Sequence, residues 1–384
     1  MEKHNLKKEE IIIGAVGDIS FGDGYLCCGF GVRSKMEQFG PEYIFEKVRS
    51  DLLGNDLLFG NLEGVLSSSN FNRYSLKSFQ MRGRENGVVA LRDAGFTILS
   101  LANNHIMQHG KAAVLNTVNL LNLNGIGSCG IGMSDVISRR PYIFSQDGIS
   151  IAFFAYNARP KQYFIDHPLD ISFNIDDALT DVREFKDKVD LMVVSMHWGD
   201  EFIHIPSAAQ QEIGHQLVDS GVDLILGHHP HVIQGVEQYK EGLIFYSLGN
   251  FVFDMPWYPD SNKSLIAKIK FHKLKKKLSY EVVPVRINRN YQPELMPEKD
   301  GAEILKHVEY LSNLITDSNE VYNSGQYYIE QLDQFARKER SLSHKYWLSN
   351  IHQYPLFFLI QYLLEVFIRR VRPLRETRPS EKRF

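Results

Sequence analysis

The sequence predicts an α/β protein whose β-strands are mostly buried. Two observations support this prediction: short apolar runs recur along the chain, and amphipathic helical patterns separate them. Strands that alternate with helices in this way usually form largely parallel sheets that are covered on both faces. The apolar runs that we interpret as strands cover 11–16, 56–61, 96–101, 149–156, 190–197, 223–227 and 243–248.

The segments between these runs show helical periodicity. Residues 41–53 begin at a proline and place apolar side chains three and four positions apart, which predicts an amphipathic helix. Similar patterns cover 87–94, 111–123 and 208–220. The last of these stops at Gly221, a residue type that favours helix ends. Residues 265–271 and 278–287 predict two antiparallel strands around a lysine-rich turn.

The prolines at 293 and 297 interrupt this pattern and predict a domain boundary. We expect one domain over residues 1–290 and a helical extension with a basic tail over residues 301–384. Within the extension, residues 356–368 are very apolar but form too short a stretch to span a bilayer.

Two interpretations of this apolar stretch remain open. It packs against the rest of the protein, or residues 354–372 lie on an anionic membrane surface. The second interpretation is supported by seven Lys/Arg against two Glu in residues 369–384. We expect residues 375–384 to form a disordered, solvated tail.

The composition limits the classes of function. The chain has 384 residues, 43% of them hydrophobic, and a net charge of −3, which excludes a wholly disordered chain, a polytopic membrane protein and a nucleic-acid-binding role for the whole chain. Three cysteines are too few for a disulfide framework. The first 13 residues contain no apolar stretch long enough for a signal peptide, so we expect a cytoplasmic protein, peripheral to the membrane at most.

Polar side chains follow the predicted strands at their carboxyl ends, where ligand sites gather in α/β sheets. Carboxylates, amides and imidazoles of this kind bind divalent transition metals. Two ions sharing a carboxylate would activate a bound water, and a nearby histidine would protonate a leaving group. Each residue alone also has a structural explanation, as a helix cap, a turn residue or a core histidine. The residues are Asp18, Asn61, Glu63, Asn104, His105, His197, His229 and His231.

An ordered set of motifs over residues 11–254 resembles the CapA family of capsule-synthesis (poly-γ-glutamate biosynthesis) proteins, which is similar to the calcineurin-like metallophosphoesterases. The set runs Gly-Asp, Asn-Leu-Glu, Ala-Asn-Asn-His, His-Trp-Gly-Asp-Glu, Gly-His-His-Pro-His and Ser-Leu-Gly-Asn-Phe. Its segments lie at 17–18, 61–63, 102–105, 197–201, 227–231 and 247–251.

The resemblance implies a four-layer α/β/β/α sandwich and a centre for divalent metal ions, two in number, whose identity among Mn, Zn, Fe and Mg stays open. Asp18 would bind the first ion, Glu63 would bridge, and Asn104 would bind the second. His197, His229 and His231 would complete the ligand set, with His105 as the candidate acid. The residues expected to line or support the pocket are Asn61, Trp198, Glu201 and Asn250.

Two positions depart from the pattern of the family. Ser20 stands where phosphoesterases usually carry a histidine, which removes an imidazole ligand. Gln108 stands where CapA-like proteins often carry an aspartate, which removes a carboxylate partner or orienting group.

The resemblance therefore leaves two functions open. One is a metal-dependent hydrolase that cleaves a phosphoester or a γ-glutamyl amide of a small-molecule or polymer substrate. The other is a non-catalytic accessory protein of a membrane-associated capsule-synthesis complex. The hydrolase is the leading hypothesis, and the two departures and the apolar, basic C-terminus support the accessory protein as the alternative.

Overall fold

The computed structural model of the chain describes residues 9–132, 139–159, 173–316 and 326–371. The strands, in chain order, are β1 (Glu10–Ile19), β2 (Leu57–Leu62), β3 (Val65–Leu66), β4 (Arg82–Gly83), β5 (Ile98–Ser100), β6 (Gly127–Cys129), β7 (Tyr142–Gln146), β8 (Ile149–Asn157), β9 (Leu191–His197), β10 (Leu224–His228), β11 (Val236–Tyr239), β12 (Gly242–Phe245), β13 (Asn250–Val252), β14 (Lys263–His272), β15 (Lys277–Ile287) and β16 (Pro293–Leu295).

The α-helices, in chain order, are α1 (Val32–Phe39), α2 (Arg49–Leu53), α3 (Leu76–Phe79), α4 (Gly87–Asp93), α5 (Gly110–Leu123), α6 (Ile175–Phe185), α7 (Ala208–Asp219), α8 (Glu298–Thr316), α9 (Gln326–Asn350) and α10 (Leu356–Val371). The predicted helix over residues 41–53 is wrong in its middle. It divides into a 3₁₀ turn, Pro41–Phe45, and the short helix α2. Apolar spacing alone does not distinguish a 3₁₀ turn from an α-helix.

Most of the described strands form two sheets. The first has the order β16-β15-β14-β1-β2-β5-β6, with β13 pairing with the end of β1 beyond β14. The second has the order β11-β12-β10-β9-β8-β7. The strands β1, β2, β5 and β6 are mutually parallel, as are β8, β9, β10 and β12. The predicted antiparallel pair near the lysine-rich turn is confirmed as β14 and β15.

Three apolar clusters explain how these sheets stack. One fills the space between them, where Phe59 of the first sheet stacks on Phe153 of the second with ring centroids 5.5 Å apart. A second cluster packs the other face of the first sheet against α4 and α5. A third packs the other face of the second sheet against α6 and α7. Helix, sheet, sheet and helix therefore form four layers, which confirms the predicted sandwich.

The C-terminal helices contact both halves of the sandwich. Helix α8 buries Ile304 and Val308 in the cluster between the sheets. Helix α9 stacks Phe335 on Phe202, in the loop after β9, with centroids 4.7 Å apart. Helix α10 packs Phe358 against Phe79 of α3. The domain boundary near residue 290 stays a prediction, and the predicted tail over 375–384 lies outside the described residues.

Over residues 356–364, the last helix has both a buried and an exposed side. Phe358 is buried, whereas Leu356, Ile360 and Leu364 are between 50% and 72% exposed. Within the ranges that the structure describes, no helix combines the length and apolarity needed to cross a membrane.

Candidate metal centre

Asp18 lies at the carboxyl end of β1 and is fully buried. Its position depends on Gly17, because a Cβ there would lie 1.8 Å from the carbonyl oxygen of Gly249 on the adjoining chain segment. Asn61 Nδ2 donates to Asp18 Oδ1 at 2.8 Å, and the main-chain N–H of His229 donates to Oδ2 at 3.0 Å. Burial alone would raise the pKa of Asp18, but His228, His231 and His197 together outweigh burial and hold that pKa below its usual value.

Three histidines come from the ends of two adjacent strands. His197 ends β9, and β10 ends beside it, so that the following loop carries His229 and His231. These two residues have φ angles of 93° and 57°, in the left-handed region that side chains with a Cβ rarely adopt. This conformation turns both imidazoles towards His197. The ring centroids are 4.7 Å apart for His197 and His229, and 5.6 Å apart for His229 and His231.

Several buried polar atoms at this point have no hydrogen-bond partner among the described residues. They include both carboxylate oxygens of Glu63 and both ring nitrogens of His229. Burial, reinforced by the charges of Asp18 and Glu201, raises the pKa of Glu63 well above its usual value. Burial, together with His197 and Arg159, lowers the pKa of His229. Leaving such groups unpaired costs free energy, so their clustering points to a bound cation.

The donor atoms of these residues are close enough to share an ion. Among the described residues, two groups have candidate ligand atoms that all lie within 4.8 Å of one another. One group is Glu63, His229 and His231, and the other is Asp18, Glu63 and His197. Glu63 belongs to both. Carboxylate oxygen and imidazole nitrogen are ligands that divalent transition metals accept, so these residues fit such an ion.

Two predicted amides support the imidazoles. Asn104 Oδ1 lies 2.9 Å from His197 Nε2, and Asn250 Oδ1 lies 2.8 Å from His231 Nδ1. The second contact leaves His231 Nε2 facing Glu63, 3.9 Å from its Oε1. An amide oxygen on one ring nitrogen selects the tautomer and orients the other nitrogen.

His105 lies beside Glu63, with its Nε2 3.8 Å from Glu63 Oε1. Its Nδ1 lies 2.8 Å from Gln108 Oε1. The expectation that Gln108 removes an orienting group is therefore wrong, because the amide oxygen orients the imidazole without adding a negative charge. Burial lowers the pKa of His105, although Gln108 and Glu201 oppose that shift.

Ser20, Trp198 and Glu201 were also singled out from the sequence, and the structure gives each of them a different environment. The hydroxyl of the buried Ser20 donates to the sulfur of Met81 at 3.7 Å. The side chain of Trp198 lies in the apolar cluster behind the second sheet, and its indole N–H donates to the carbonyl of Tyr246 at 2.9 Å. Stacking on Tyr246 directs the ring into the core, so of the two roles predicted for Trp198 it is support from behind the pocket that stays a prediction. Glu201 is half-buried and acts on Glu63 and His105 through its charge.

Sequence reasoning missed two residues that contact the cluster. His228 Nδ1 lies 3.2 Å from Asp18 Oδ1. Asn103 Nδ2 donates to the carbonyl of Leu62 at 2.9 Å, and its Oδ1 accepts the main-chain N–H of His105 at 3.2 Å. Pairing of the two predicted strands could have indicated His228, because His228 is the last residue of β10 and pairs with His197 of β9.

A family model described as "Bacterial capsule synthesis protein PGA_cap" matches residues 12–255, which include every residue of the cluster. The chain belongs to the PGA_cap family. This assignment confirms the resemblance to CapA proteins of capsule and poly-γ-glutamate synthesis that the motifs indicate.

Individual relatives agree with the PGA_cap assignment. The chain is 32% identical over 273 residues to "Capsule biosynthesis protein CapA" of Bacillus anthracis, covering 69% of this chain and 64% of that protein. It is 30% identical over 304 residues to "PGA biosynthesis protein CapA" of Bacillus subtilis (strain 168), covering 77% of each. The match thus spans less than two thirds of the length of the B. anthracis relative.

A third relative is named as an accessory protein. The chain is 29% identical over 174 residues to a "Probable polyglutamine synthesis accessory protein" of Mycobacterium tuberculosis (strain ATCC 25618 / H37Rv), covering 41% of this chain and 45% of that protein.

Solved structures are more distant from this PGA_cap protein. A hypothetical protein from Thermus thermophilus superposes with a TM-score of 0.44 at 14% identity, covering 71% of this chain and 99% of that chain. A 5'-nucleotidase from Candida albicans superposes with a TM-score of 0.42 at 12% identity, covering 85% of this chain and 58% of that chain.

Proposed function

We propose that this PGA_cap protein carries a metal-dependent hydrolase centre that serves capsule or poly-γ-glutamate synthesis. The observation that carries the proposal is the burial of unpartnered Glu63 oxygens and His229 nitrogens at one point. No hydrogen bond from the described residues compensates for the loss of hydration of these atoms, whereas divalent cations would. The scissile bond is a phosphoester or a γ-glutamyl amide.

The ligand residues are those that the geometry brings together. Asp18, Glu63 and His197 would hold one ion, and Glu63, His229 and His231 would hold the other. Asn104, whose Oδ1 lies beside His197 Nε2, stays a proposed ligand as well. Asn61 and Asn250 orient Asp18 and His231 through the contacts described above. A divalent ion held by these residues would supply an activated water as the nucleophile.

His105 is the candidate acid. With Nδ1–H donating to Gln108, its Nε2 faces the cluster, so the second proton of the imidazolium form would point towards a leaving group there. About a fifth of its side chain is exposed, so it lies at the edge of the cluster, where substrate has access.

The proposal is tested by elemental analysis of the full chain together with turnover of a generic phosphodiester and a γ-glutamyl amide. We expect about two divalent ions per chain and turnover that His229→Ala abolishes. His105→Ala should reduce turnover by roughly 10²–10⁴-fold while the metal content is kept. His272→Ala, far from the cluster on β14, is the matched control and should leave both unchanged. Loss of the metals in His105→Ala would show that this residue is a ligand rather than the acid.

One observation favours a second candidate, an accessory role at an anionic membrane. Leu356, Ile360 and Leu364 form an exposed apolar stripe on α10, and the basic run of residues 369–384 follows it in sequence. The two roles are compatible.

Co-sedimentation with vesicles containing an anionic phospholipid tests the membrane role. We expect the double variant Ile360→Asp, Leu364→Asp to abolish pelleting. Leu274→Asp, which changes an exposed leucine in the β14–β15 turn, should leave pelleting unchanged. Equal pelleting of all three proteins, or no pelleting of the native chain, rejects the membrane role.

A further inference from the structure

Arg159 lies next to the candidate metal centre. Strand β8 ends at Asn157, which is in register with His197 on β9. The main-chain N–H of Ala158 donates to the carbonyl of His197 at 2.9 Å, and that of Arg159 donates to Asn157 Oδ1 at 3.0 Å. Arg159 therefore leaves the sheet at the same edge as His197.

Its guanidinium is anchored to the loop that follows His197. Arg159 Nη1 donates to the carbonyl of Gly199 at 2.5 Å and to Asp200 Oδ1 at 3.0 Å. The hydroxyl of Tyr328 on α9 donates to the other carboxylate oxygen of Asp200 at 2.5 Å. The side chain of Arg159 is 26% exposed, so these contacts hold the guanidinium in place while part of the side chain reaches solvent.

The other edge of this guanidinium has no partner among the described residues. Arg159 Nε is buried without a hydrogen bond, and the contacts to the loop all use Nη1. An arginine that serves only as a structural ion pair commonly uses the Nε–Nη2 edge, whose parallel N–H groups match a carboxylate. Arg139 does so here: its Nε and Nη2 donate to the two oxygens of Asp181 at 2.8 and 2.7 Å.

The guanidinium of Arg159 lies close enough to the cluster for its positive charge to act on the cluster residues. The charge of Arg159 contributes to the lowered pKa of His229, after burial and His197. The cluster itself is built from carboxylates, amides and imidazoles, so Arg159 provides it with a positive group for binding a substrate anion.

We propose that the Nε–Nη2 edge of Arg159 binds a paired anionic oxygen group of the substrate, a carboxylate or a phosphoryl group, beside the metal centre. This inference rests on the proposed hydrolase function and narrows it to substrates that carry such an anion near the scissile bond. Asp200 and Tyr328 are positioning residues for this contact.

Isothermal titration of the full chain tests the inference with three probes: a γ-linked glutamate trimer, its fully methylated ester, and inorganic phosphate. Each titration is run with Mn²⁺ and again with a chelator. The proteins are the native chain, Arg159→Gln, Arg159→Lys, and the matched control Arg139→Gln, whose arginine is similarly exposed at 24%. Thermal unfolding and Mn²⁺ titration of each variant accompany the binding data.

We expect Arg159→Gln to weaken binding of an anionic probe about tenfold or more, in both metal conditions, because a bidentate charge-assisted contact is lost. Arg159→Lys should restore only part of it, since lysine keeps the charge but not the paired N–H groups. Arg139→Gln should bind like the native chain, and the ester should not distinguish the variants. Whichever of the trimer and phosphate loses affinity identifies the anion as carboxylate or phosphoryl.

Unchanged affinity of Arg159→Gln for both anions, or no binding of either by the native chain at millimolar concentration, overturns the inference. The Mn²⁺ titration separates this from failure of the hydrolase proposal. If the native chain binds no metal while Arg159→Gln still loses anion affinity, the metal centre fails and the anion site stands. If Arg159→Gln does not fold, the partial loss in Arg159→Lys decides.

Discussion

Two pairs of buried carboxylates lie near the end of β1, and their surroundings differ. In the candidate metal centre, neither oxygen of Glu63 has a hydrogen-bond partner among the described residues. In the other pair, Asp23 and Asp254, every oxygen accepts a hydrogen bond. Asp23 accepts from the main-chain N–H of Gly29 and of Ser34 at 2.9 and 3.0 Å, and Asp254 accepts twice from Gly24 at 2.8 Å.

Burial raises the pKa of Glu63, Asp23 and Asp254 alike, so burial does not distinguish the two sites. Their partners do. The Asp23–Asp254 pair gathers main-chain donors from the loop that leads into α1, as expected of a structural cluster. Glu63 faces imidazoles and another carboxylate, which suits a ligand set. A buried acid with unpartnered oxygens, such as Glu63, is therefore the stronger candidate for a cation ligand, although Asp18 shows that a hydrogen-bonded carboxylate can lie in the same cluster.

The largest effect is expected at the satisfied pair. Asp254→Ala leaves the N–H groups of Gly24 and Val32 without acceptors in a buried loop. We expect it to lower the free energy of unfolding by about 3 kcal/mol, measured by urea denaturation in chelator. Asp219→Ala, which breaks an exposed ion pair to Lys240, is the control and should cost less than about 1 kcal/mol. A similarly small loss in Asp254→Ala would show that this pair is not structural.

Glu63→Gln should reduce metal affinity and leave stability unchanged, whereas Asp254→Ala should reduce stability. Removing the shared negative charge should lower Mn²⁺ affinity about 100-fold, or about 2.7 kcal/mol, in a chelator competition assay. The metal-free variant should be no less stable than the native chain, because an unpartnered buried carboxylate is lost. Glu237→Gln is the matched comparison, since His215 and Tyr246 pair with that buried carboxylate, and it should keep full metal affinity. Unchanged Mn²⁺ affinity in Glu63→Gln would remove its bridging role.

A smaller effect per pH unit is expected at His109, a half-buried histidine whose Nε2 lies 2.7 Å from the carbonyl of Gln80. Burial, aided by Arg82, lowers its pKa from 6.5 to about 4. The unfolded chain therefore takes up this proton first, so the neutral histidine stabilises the fold above pH 6.5 and the contribution is lost as pH falls towards 4.

His109→Gln should remove this loss of folding stability, which amounts to about 1 kcal/mol per pH unit between pH 6.5 and about 4. Urea denaturation of metal-free protein at several pH values measures it. The comparison must be made between the variant and the native chain, because Asp223, with its pKa raised to about 6 by burial, changes native stability in the opposite direction. Parallel pH curves for the two proteins would show that His109 does not titrate as described.

Much of the fold could be predicted because several central strands, such as β1, β2, β9 and β10, were marked twice, by an apolar run and by the polar residues at its end. The helix over residues 41–53 was not predictable in detail, since a 3₁₀ turn and an α-helix share nearly the same apolar spacing. At the site, parallel pairing was enough to bring Asp18 beside Asn61 and His197 beside the end of β10.

The sequence by itself determined the architecture and the chemical types that meet at the carboxyl edge of the sheets, because strand period and order decide which residues reach that edge. Only the tertiary structure decided the partners. It turned Trp198 into the core, gave His105 the neutral acceptor Gln108, and left one edge of Arg159 open where Arg139 is satisfied. Side-chain direction and hydrogen-bond pairing depend on neighbours that are distant in sequence, and the hydrophobic periodicity of the sequence does not reveal those neighbours.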